Sequence, residues 1–352
     1  MNRCELKAMC VGLCLAVVLG GCGQRKAEEK SMPKPTGAGT PAAADQAITY
    51  RCEDPLHCIF FICDATVPGS GAPLVGFAGG ASNTLLRTAD GGKTWQRMRQ
   101  RDPAITPFEQ IRFRTALEGW AMSRDHLLFT ADGGKAWKDA AKLPENFYYF
   151  GPSAVNSKRY FQLQPPGCGA TIYAAAGSGQ QWTKWGATLP RNDYEAIFFL
   201  DDQHGWLAGN YGVATCTTNG GATWSKMDFK GNGHLVQIQF VTPQLGWMRP
   251  LMGHAGGPWV SHDGGQTWAK QDAGIKSYNN LVAMQFLNER VGFLLVDIGN
   301  KSVELLKTTD GGVTWSSART FKSPAYAFCF VSPTEGWLAA TDGSILHCVL
   351  DK

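Results

Sequence analysis

The chain has 352 residues with a formal net charge of +4, 44% hydrophobic and 18% charged residues. That composition supports a sizeable core and excludes wholesale disorder, and so mild and evenly spread a charge gives no electrostatic footprint of a nucleic-acid binder. Two residue types are in excess, 42 Gly and 12 Trp; Gly stands at roughly 12% against a usual figure of about 7%, without the G-X-Y period of collagen.

Residues 1–22 read MNRCELKAMCVGLCLAVVLGGC: Arg3 and Lys7, an apolar run from Ala8 to Leu19, then small residues. This is the pattern of a secretory signal, expected over 1–21. Its apolar run is well short of the roughly 20 residues of a spanning helix, and no later segment is long and apolar enough to span. Leu19-Gly20-Gly21-Cys22 resembles the bacterial lipobox, which implies cleavage before Cys22 and lipid attachment to it; the competing reading is a plain signal with a coincidental Cys. Residues 22–46 hold this Cys and a stretch rich in Ala, Pro, Gly and charge with no apolar period. The stretch reads as a tether, with a root-mean-square reach of about 25–30 Å as a flexible coil.

From residue 47 onward the sequence repeats. Five octets align without gaps: TADGGKTW (88–95), TADGGKAW (130–137), TTNGGATW (217–224), SHDGGQTW (261–268) and TTDGGVTW (308–315), with a degenerate sixth ending at Trp182. Their Trp residues are separated by 42, 45, 42, 44 and 47 positions. A second marker keeps the same time. Phe113, Phe199, Phe240, Phe286 and Phe330 each precede a Gly-aromatic pair by a fixed distance, ending in Trp120, Trp206, Trp247, Phe293 and Trp337. Within one unit, YEAIFFL, GWLAG, GVATCTT and TWSKMDF read as four short strands separated by Gly, Asp and Asn turns. Four strands per roughly 44 residues is a propeller period. After Trp315 only three further strands remain, so AITYRC (47–52) is expected to supply the fourth. The predicted fold is therefore an all-β, seven-bladed β-propeller with four-stranded blades over 47–352, its last blade closed by an N-terminal strand.

The octets resemble the Asp-box, or bacterial neuraminidase repeat, S-x-D-x-G-x-T-W, which SHDGGQTW matches throughout. Together with the Gly-aromatic pairs at this period they resemble the photosystem II assembly and stability factor family of propellers and its relatives in non-photosynthetic bacteria, over about residues 47–350. The resemblance implies the propeller fold and, for members at the photosystem, a role as assembly chaperones of membrane proteins. The same box occurs in sialidases and other glycoside hydrolases, where it lies on the face opposite the catalytic centre. It therefore implies structural roles for Asp90, Trp95, Asp132, Trp137, Asn219, Trp224, Asp263, Trp268, Asp310 and Trp315. Asn219 in an otherwise complete box agrees, since a turn acceptor tolerates the change and a general acid does not. A sialidase also needs an arginine triad, a Tyr nucleophile and an acid/base carboxylate. The Arg-Ile-Pro signature is absent near the first blade, and Arg249-Pro250 is its nearest fragment.

Other residues invite specific expectations. Removing the signal and Cys22 leaves Cys52, Cys58, Cys63, Cys168, Cys216, Cys329 and Cys348, which can pair in an exported protein. Cys52–Cys348 would lock the ring, with Cys58 or Cys63 to Cys329 as the competing bridges. No metal site is expected, because no Cys or His cluster has ligand spacing and the His residues are scattered over turns. Arg97, Arg99 and Arg101 alternate along an extended segment, and Arg112 and Arg114 flank Phe113. These read either as a charged edge that discourages strand pairing or as a docking patch for an acidic segment or lipid headgroups; an arginine patch is also a feature of the resembled family. Tyr148, Tyr149, Tyr194, Tyr278 and Tyr326 lie on loops entering first strands, where they either contact a partner or cap the core. Arg249 begins a long irregular loop, 249–258, that is a further contact candidate.

These readings combine into one expectation. The chain is a non-enzymatic, cofactor-free, lipid-anchored propeller of the bacterial envelope, on the periplasmic face or the cell surface. It is monomeric, binds a membrane protein or envelope complex subunit and no nucleic acid, and serves as a scaffold or assembly factor. The alternative is a carbohydrate-binding or sialidase-like glycoside hydrolase propeller.

Overall fold

In the computed structural model the described residues are 47–62, 74–113, 115–123, 127–139, 154–155, 159–164, 171–176, 183–186, 189, 194–231, 233–251, 257–276 and 280–351. The signal, Cys22 and the tether fall outside them. The chain divides into two units, residues 1–46 and 47–352, and the second carries the fold.

That unit is an all-β propeller of antiparallel four-stranded blades. After β1 (Ala47–Arg51), sheet 1 holds β2 (Leu56–Phe61), β3 (Gly76–Gly80), β4 (Thr84–Thr88) and β5 (Gln96–Arg97). Sheet 2 holds β6 (Gln110–Phe113), β7 (Gly119–Met122), β8 (Leu127–Thr130) and β9 (Lys138–Asp139), and sheet 3 holds β10 (Ala154–Val155), β11 (Arg159–Gln164), β12 (Thr171–Ala176) and β13 (Thr183–Lys184). Sheet 4 holds β14 (Tyr194–Phe199), β15 (Gly205–Gly209), β16 (Ala214–Thr217) and β17 (Ser225–Lys226). Sheet 5 holds β18 (Leu235–Phe240), β19 (Gly246–Pro250), β20 (Trp259–Ser261) and β21 (Ala269–Lys270). Sheet 6 holds β22 (Asn280–Phe286), β23 (Gly292–Gly299), β24 (Ser302–Thr308) and β25 (Ser316–Phe321). The last sheet has the order β1, β28 (Ser344–Val349), β27 (Glu335–Ala340) and β26 (Ala325–Phe330), so both ends of the chain build it. The inner strands pack in sequence, β2 on β6, β6 on β10, β10 on β14, β14 on β18, β18 on β22, β22 on β26 and β26 back on β2. A single 3₁₀ turn, Asn210–Gly212, is the one helical piece among the described residues.

The repeated residues explain how neighbouring sheets adhere. Four Gly-aromatic residues stack face to face on the Phe ending the next inner strand: Trp206 on Phe240 at 3.7 Å, Trp247 on Phe286 at 3.5 Å, Phe293 on Phe330 at 3.9 Å and Trp337 on Phe61 at 4.0 Å. Trp120, facing β10 (Ala154–Val155), instead tilts on Phe129 at 5.1 Å. The box Trp meets the same Phe edge-on, as in Trp268–Phe240 at 86° and Trp315–Phe286 at 81°. Stacked plus edge-on geometry suits the ring quadrupoles, so Phe61, Phe113, Phe240 and Phe286 are each clamped by their own sheet and the preceding one. Sheet 1 obeys the rule through Phe77, stacked on Phe113 at 4.6 Å. Its Gly76-Phe77 pair follows Phe61 at a longer interval, which hides it from a fixed-spacing search. The second box glycine is required at two levels: Gly92 has φ +79°, and a Cβ there would sit 2.5 Å from the Trp337 indole nitrogen.

The expected Cys52–Cys348 bridge is not formed, and both residues are free thiols. β1 and β28 are adjacent, but Arg51 pairs with Ser344 and Ala47 with His347. Cys52 therefore lies at the Gly343 end, with its thiol donating to the Asp54 and Gly343 carbonyls, while Cys348 lies at the opposite end of the strand. Antiparallel register separates them by more than a disulfide spans. The competing Cys58–Cys329 bridge is also absent, since the two thiols pack in different core clusters on opposite sides of β2. Cys63 and Cys168 lie outside the described residues.

Candidate partner-binding surface

Antiparallel strand order puts the β4–β5 Asp-box turn and the β2–β3 connection on one face of the unit, and the β3–β4 turn with the loops entering each inner strand on the other. The arginine cluster gathers on the second face. Its centre is Asp54, in the β1–β2 loop, whose side chain is 3% exposed. Arg101 reaches it through Nε at 3.1 Å and Nη2 at 2.9 Å, Arg97 through Nη2 at 3.2 Å, and Thr84 donates its hydroxyl at 3.2 Å. Burial pushes the Asp54 pKa up, but hydrogen bonds from Arg101, Ser82 and Thr84 and the Arg101 charge outweigh it, and the net shift is downward. Arg99 instead donates from Nε to Asn83 Oδ1 at 3.1 Å. On the adjacent closing strand Arg51 pairs with Asp342 at 2.7 Å and Ser344 at 2.9 Å.

The alternation of Arg97, Arg99 and Arg101 thus does more than line an edge. Two of the three converge on one buried carboxylate and fasten the β1–β2 crossover to the outer strand of sheet 1. Arg101 remains 49% exposed and keeps outward-facing donors, so it and Arg99 form the accessible part of the cluster. Asp54, the residue that organises the surface, carried no signal in the sequence because nothing in the local pattern marks it as buried.

The other candidates separate by burial. Tyr194 is 1% exposed and packs in the sheet 3–sheet 4 core with Ile197 and Leu207, so it caps the core and is no contact residue. Tyr326 is 38% exposed and edge-on to His57 at 6.3 Å, at the start of the inner strand β26. Arg249 is absorbed by the sheet 5–sheet 6 seam, donating to Gln237 Oε1 at 3.1 Å and to the Leu281 carbonyl at 2.8 Å. Arg112 lies on β6 and donates from Nη1 to the Ile111 carbonyl at 2.9 Å. Arg114, Tyr148, Tyr149 and Tyr278 lie outside the described residues, as does most of the 249–258 loop.

On the opposite face the Asp-boxes close on themselves. Asp90 accepts from the Thr88 hydroxyl at 2.7 Å, the Thr94 amide at 2.9 Å and the Thr94 hydroxyl at 2.6 Å, and Trp95 Nε1 donates to the Gly92 carbonyl at 3.1 Å. Asp132, Asp263 and Asp310 hold their turns in the same way. Hydrogen bonds from Thr94 and Thr314 bring the pKa of Asp90 and Asp310 down to about 2. Carboxylates this acidic are poor proton carriers at neutral pH. Asn219 keeps the turn with one bond reversed, its Nδ2 donating to the Thr223 hydroxyl at 2.8 Å while Oδ1 accepts from the Thr223 amide at 3.0 Å. A pocket of about 400 Å³ on this face is lined by His204, Trp206, Cys216, Asp263 and neighbours. There Asp201 holds His204 Nδ1 at 2.8 Å, and burial raises the Cys216 thiol pKa, so no activated nucleophile results. Among the described residues no group of three or more His, Cys, Asp or Glu could hold a metal ion.

Comparisons with known proteins bear on the repeat and the fold. The family described as photosynthesis system II assembly factor YCF48 matches residues 70–188, and the BNR/Asp-box repeat matches 259–270. The photosystem II stability/assembly factor HCF136 of Arabidopsis thaliana is 26% identical over 316 residues, covering 79% of this chain and 73% of its own. The chain is an Asp-box β-propeller similar to the photosystem II assembly factors. The photosystem II assembly lipoprotein Ycf48 of Synechocystis is 32% identical over 130 residues, 35% of the propeller chain and 36% of its own. Among solved structures, YCF48 bound to D1 peptide superposes with a TM-score of 0.62 at 19% identity, covering 85% of this chain and 94% of that one. The GH74 enzyme of Niastella koreensis superposes with a TM-score of 0.65 at 10% identity, covering 85% and 53%. At such identities both structural likenesses show the fold alone.

Proposed function

We propose that this chain is a non-enzymatic, lipid-anchored, protein-binding scaffold of the bacterial envelope that assists assembly of a membrane complex. Its seven sheets serve as the seven blades of a ring closed by β1. The observation that carries the reading is the similarity to photosystem II stability/assembly factors across 79% of the chain. The YCF48 structure with a D1 peptide gives the kind of partner, a segment of a membrane protein, and the lipoprotein name of the Synechocystis relative supports the anchor at Cys22. The accessible guanidinium groups of Arg99 and Arg101, with the exposed ring of Tyr326 on the same face, supply charge and aromatic contact for such a segment.

The test is crosslinking and capture from detergent-solubilised envelope, comparing the wild type with Arg99→Glu combined with Tyr326→Ala. Arg97 and Arg101 are left in place because they hold Asp54. The surface is supported when the variant loses an integral membrane subunit that the wild type captures, and refuted when the captured set is unchanged. Cleavage of a glycan panel by the purified chain overturns the non-enzymatic reading. Membrane association that survives Cys22→Ser overturns the anchor.

A further inference from the structure

In the sheet 5–sheet 6 seam, the Gln237 side chain satisfies the Met284 backbone, donating to its carbonyl at 2.6 Å and accepting from its amide at 3.2 Å. The position equivalent to Gln237 in sheet 1 is Cys58, which is too short to do the same for Ile111 of sheet 2. Arg112 takes over, folding its Nη1 back onto the Ile111 carbonyl. Among the described residues that is the single hydrogen bond of a group with five N–H donors.

Among the described residues no carboxylate pairs with this charge. At the register of Arg112, one residue before the stacked Phe, the other described inner strands carry Phe60, Phe198, Gln239, Gln285 and Cys329, all uncharged, and the register two residues earlier is uncharged throughout. The titratable groups that act on Arg112 are the thiols Cys58 of sheet 1 and Cys329 of the last sheet. Burial pushes the Cys58 thiol up to about 12, so it is neutral at pH 7 and offers no counter-charge. Burial also lowers the Arg112 pKa, the signature of a cation that has lost water without gaining a carboxylate. Buried charges in folded proteins are ordinarily paired, and Arg112 remains partly exposed, so a solute can reach it.

We propose that Arg112 binds a small oxyanion, a phosphate- or carboxylate-sized group, in the space bounded by the inner strands. The planar guanidinium presents its remaining N–H groups to two oxygens, and its positive charge repels competing cations. This site is independent of the partner surface and needs no partner for its test. Thermal unfolding of the full chain in detergent is followed as inorganic phosphate is titrated, with phosphorus NMR line broadening as the direct readout.

The expected result is a saturable rise in Tm and broadening for the wild type, retained by Arg99→Gln. Arg112→Gln weakens apparent affinity by about tenfold or more, the loss of one charge-assisted pair of bonds. Arg112→Lys keeps the charge and binds with intermediate strength, which covers the case in which the Gln variant folds poorly. No saturable effect in the wild type, or equal effects in the wild type and Arg112→Gln, overturns the site. Loss of the effect in Arg99→Gln transfers the binding to the surface cluster and likewise overturns it.

Discussion

Replacing Gln239 by Met preserves the length and volume of the side chain and removes both of its polar ends. In the wild type its Nε2 donates to the Phe286 carbonyl at 2.7 Å and its Oε1 accepts from the Phe286 amide at 3.0 Å. Two net hydrogen bonds at about 0.5–1.5 kcal/mol each give an expected loss of about 1–3 kcal/mol, if water entering between the inner strands satisfies the freed backbone. A dry seam costs more, because each orphaned backbone group then carries a penalty of about 1–3 kcal/mol. Since Phe286 also carries the Trp247 stack, the loss acts on the seam as a whole. Urea unfolding should show a lower midpoint at unchanged slope, and thermal unfolding a fall of a few degrees. Gln285→Met should behave alike, because Gln285 bonds the Phe330 carbonyl at 3.0 Å and amide at 2.8 Å. Exposed Gln96→Met is the control, and midpoints for Gln239→Met and Gln96→Met that coincide would refute the role of the glutamines as inter-sheet clamps.

Three other outcomes follow from the same geometry. Asp54→Asn leaves Arg97 without a counter-charge and Arg101 with only the exposed Glu53 at 3.8 Å, and should cost about 1.5–3 kcal/mol at neutral pH, read from urea midpoints. Because the folded Asp54 pKa lies below its unfolded value, its contribution is present above about pH 4 and is lost as pH falls through the folded value, so the difference between wild type and Asp54→Asn should shrink in acid. Asp263→Asn should be nearly silent, as Asn219 already demonstrates, whereas Asp263→Ala should cost about 1–2 kcal/mol by freeing the Thr267 amide. Mass spectrometry after alkylation under denaturing, non-reducing conditions should find Cys52 and Cys348 both modified, and a Cys52–Cys348 linked peptide would contradict the register of β1 on β28.

Much of the fold was legible because its cause is local and repeated. A Phe, a Gly-aromatic pair and a box Trp recur at one period because most seams use the same clamp, with sheet 3, whose inner strand ends in Val155, as the exception. That AITYRC pairs with β28 follows from counting strands, whereas its register, which sets Arg51 opposite Ser344, does not. What escaped was non-local. Gln237, Gln239 and Gln285 read as polar strand residues, and only the next sheet's backbone reveals what they bind. Tyr194 and Tyr326 occupy similar loop-to-strand positions in the sequence, yet one is buried and the other exposed.

The arginines show why a charge pattern underdetermines function. Arg97, Arg99 and Arg101 look alike at a spacing of two, but Asp54, more than forty positions earlier, divides them into two that hold the crossover and one that does not. The same division separates Arg112 from the surface group. A cluster that anchors its own chain through a carboxylate has part of its charge cancelled, so what it offers a partner is the remainder, on Arg99 and the outer edge of Arg101. Among the described residues Arg112 has no such cancellation, and its uncharged neighbours strengthen rather than screen its field. The surface cluster is therefore suited to weak, salt-sensitive contact with an extended segment, and the inner arginine to one compact anion.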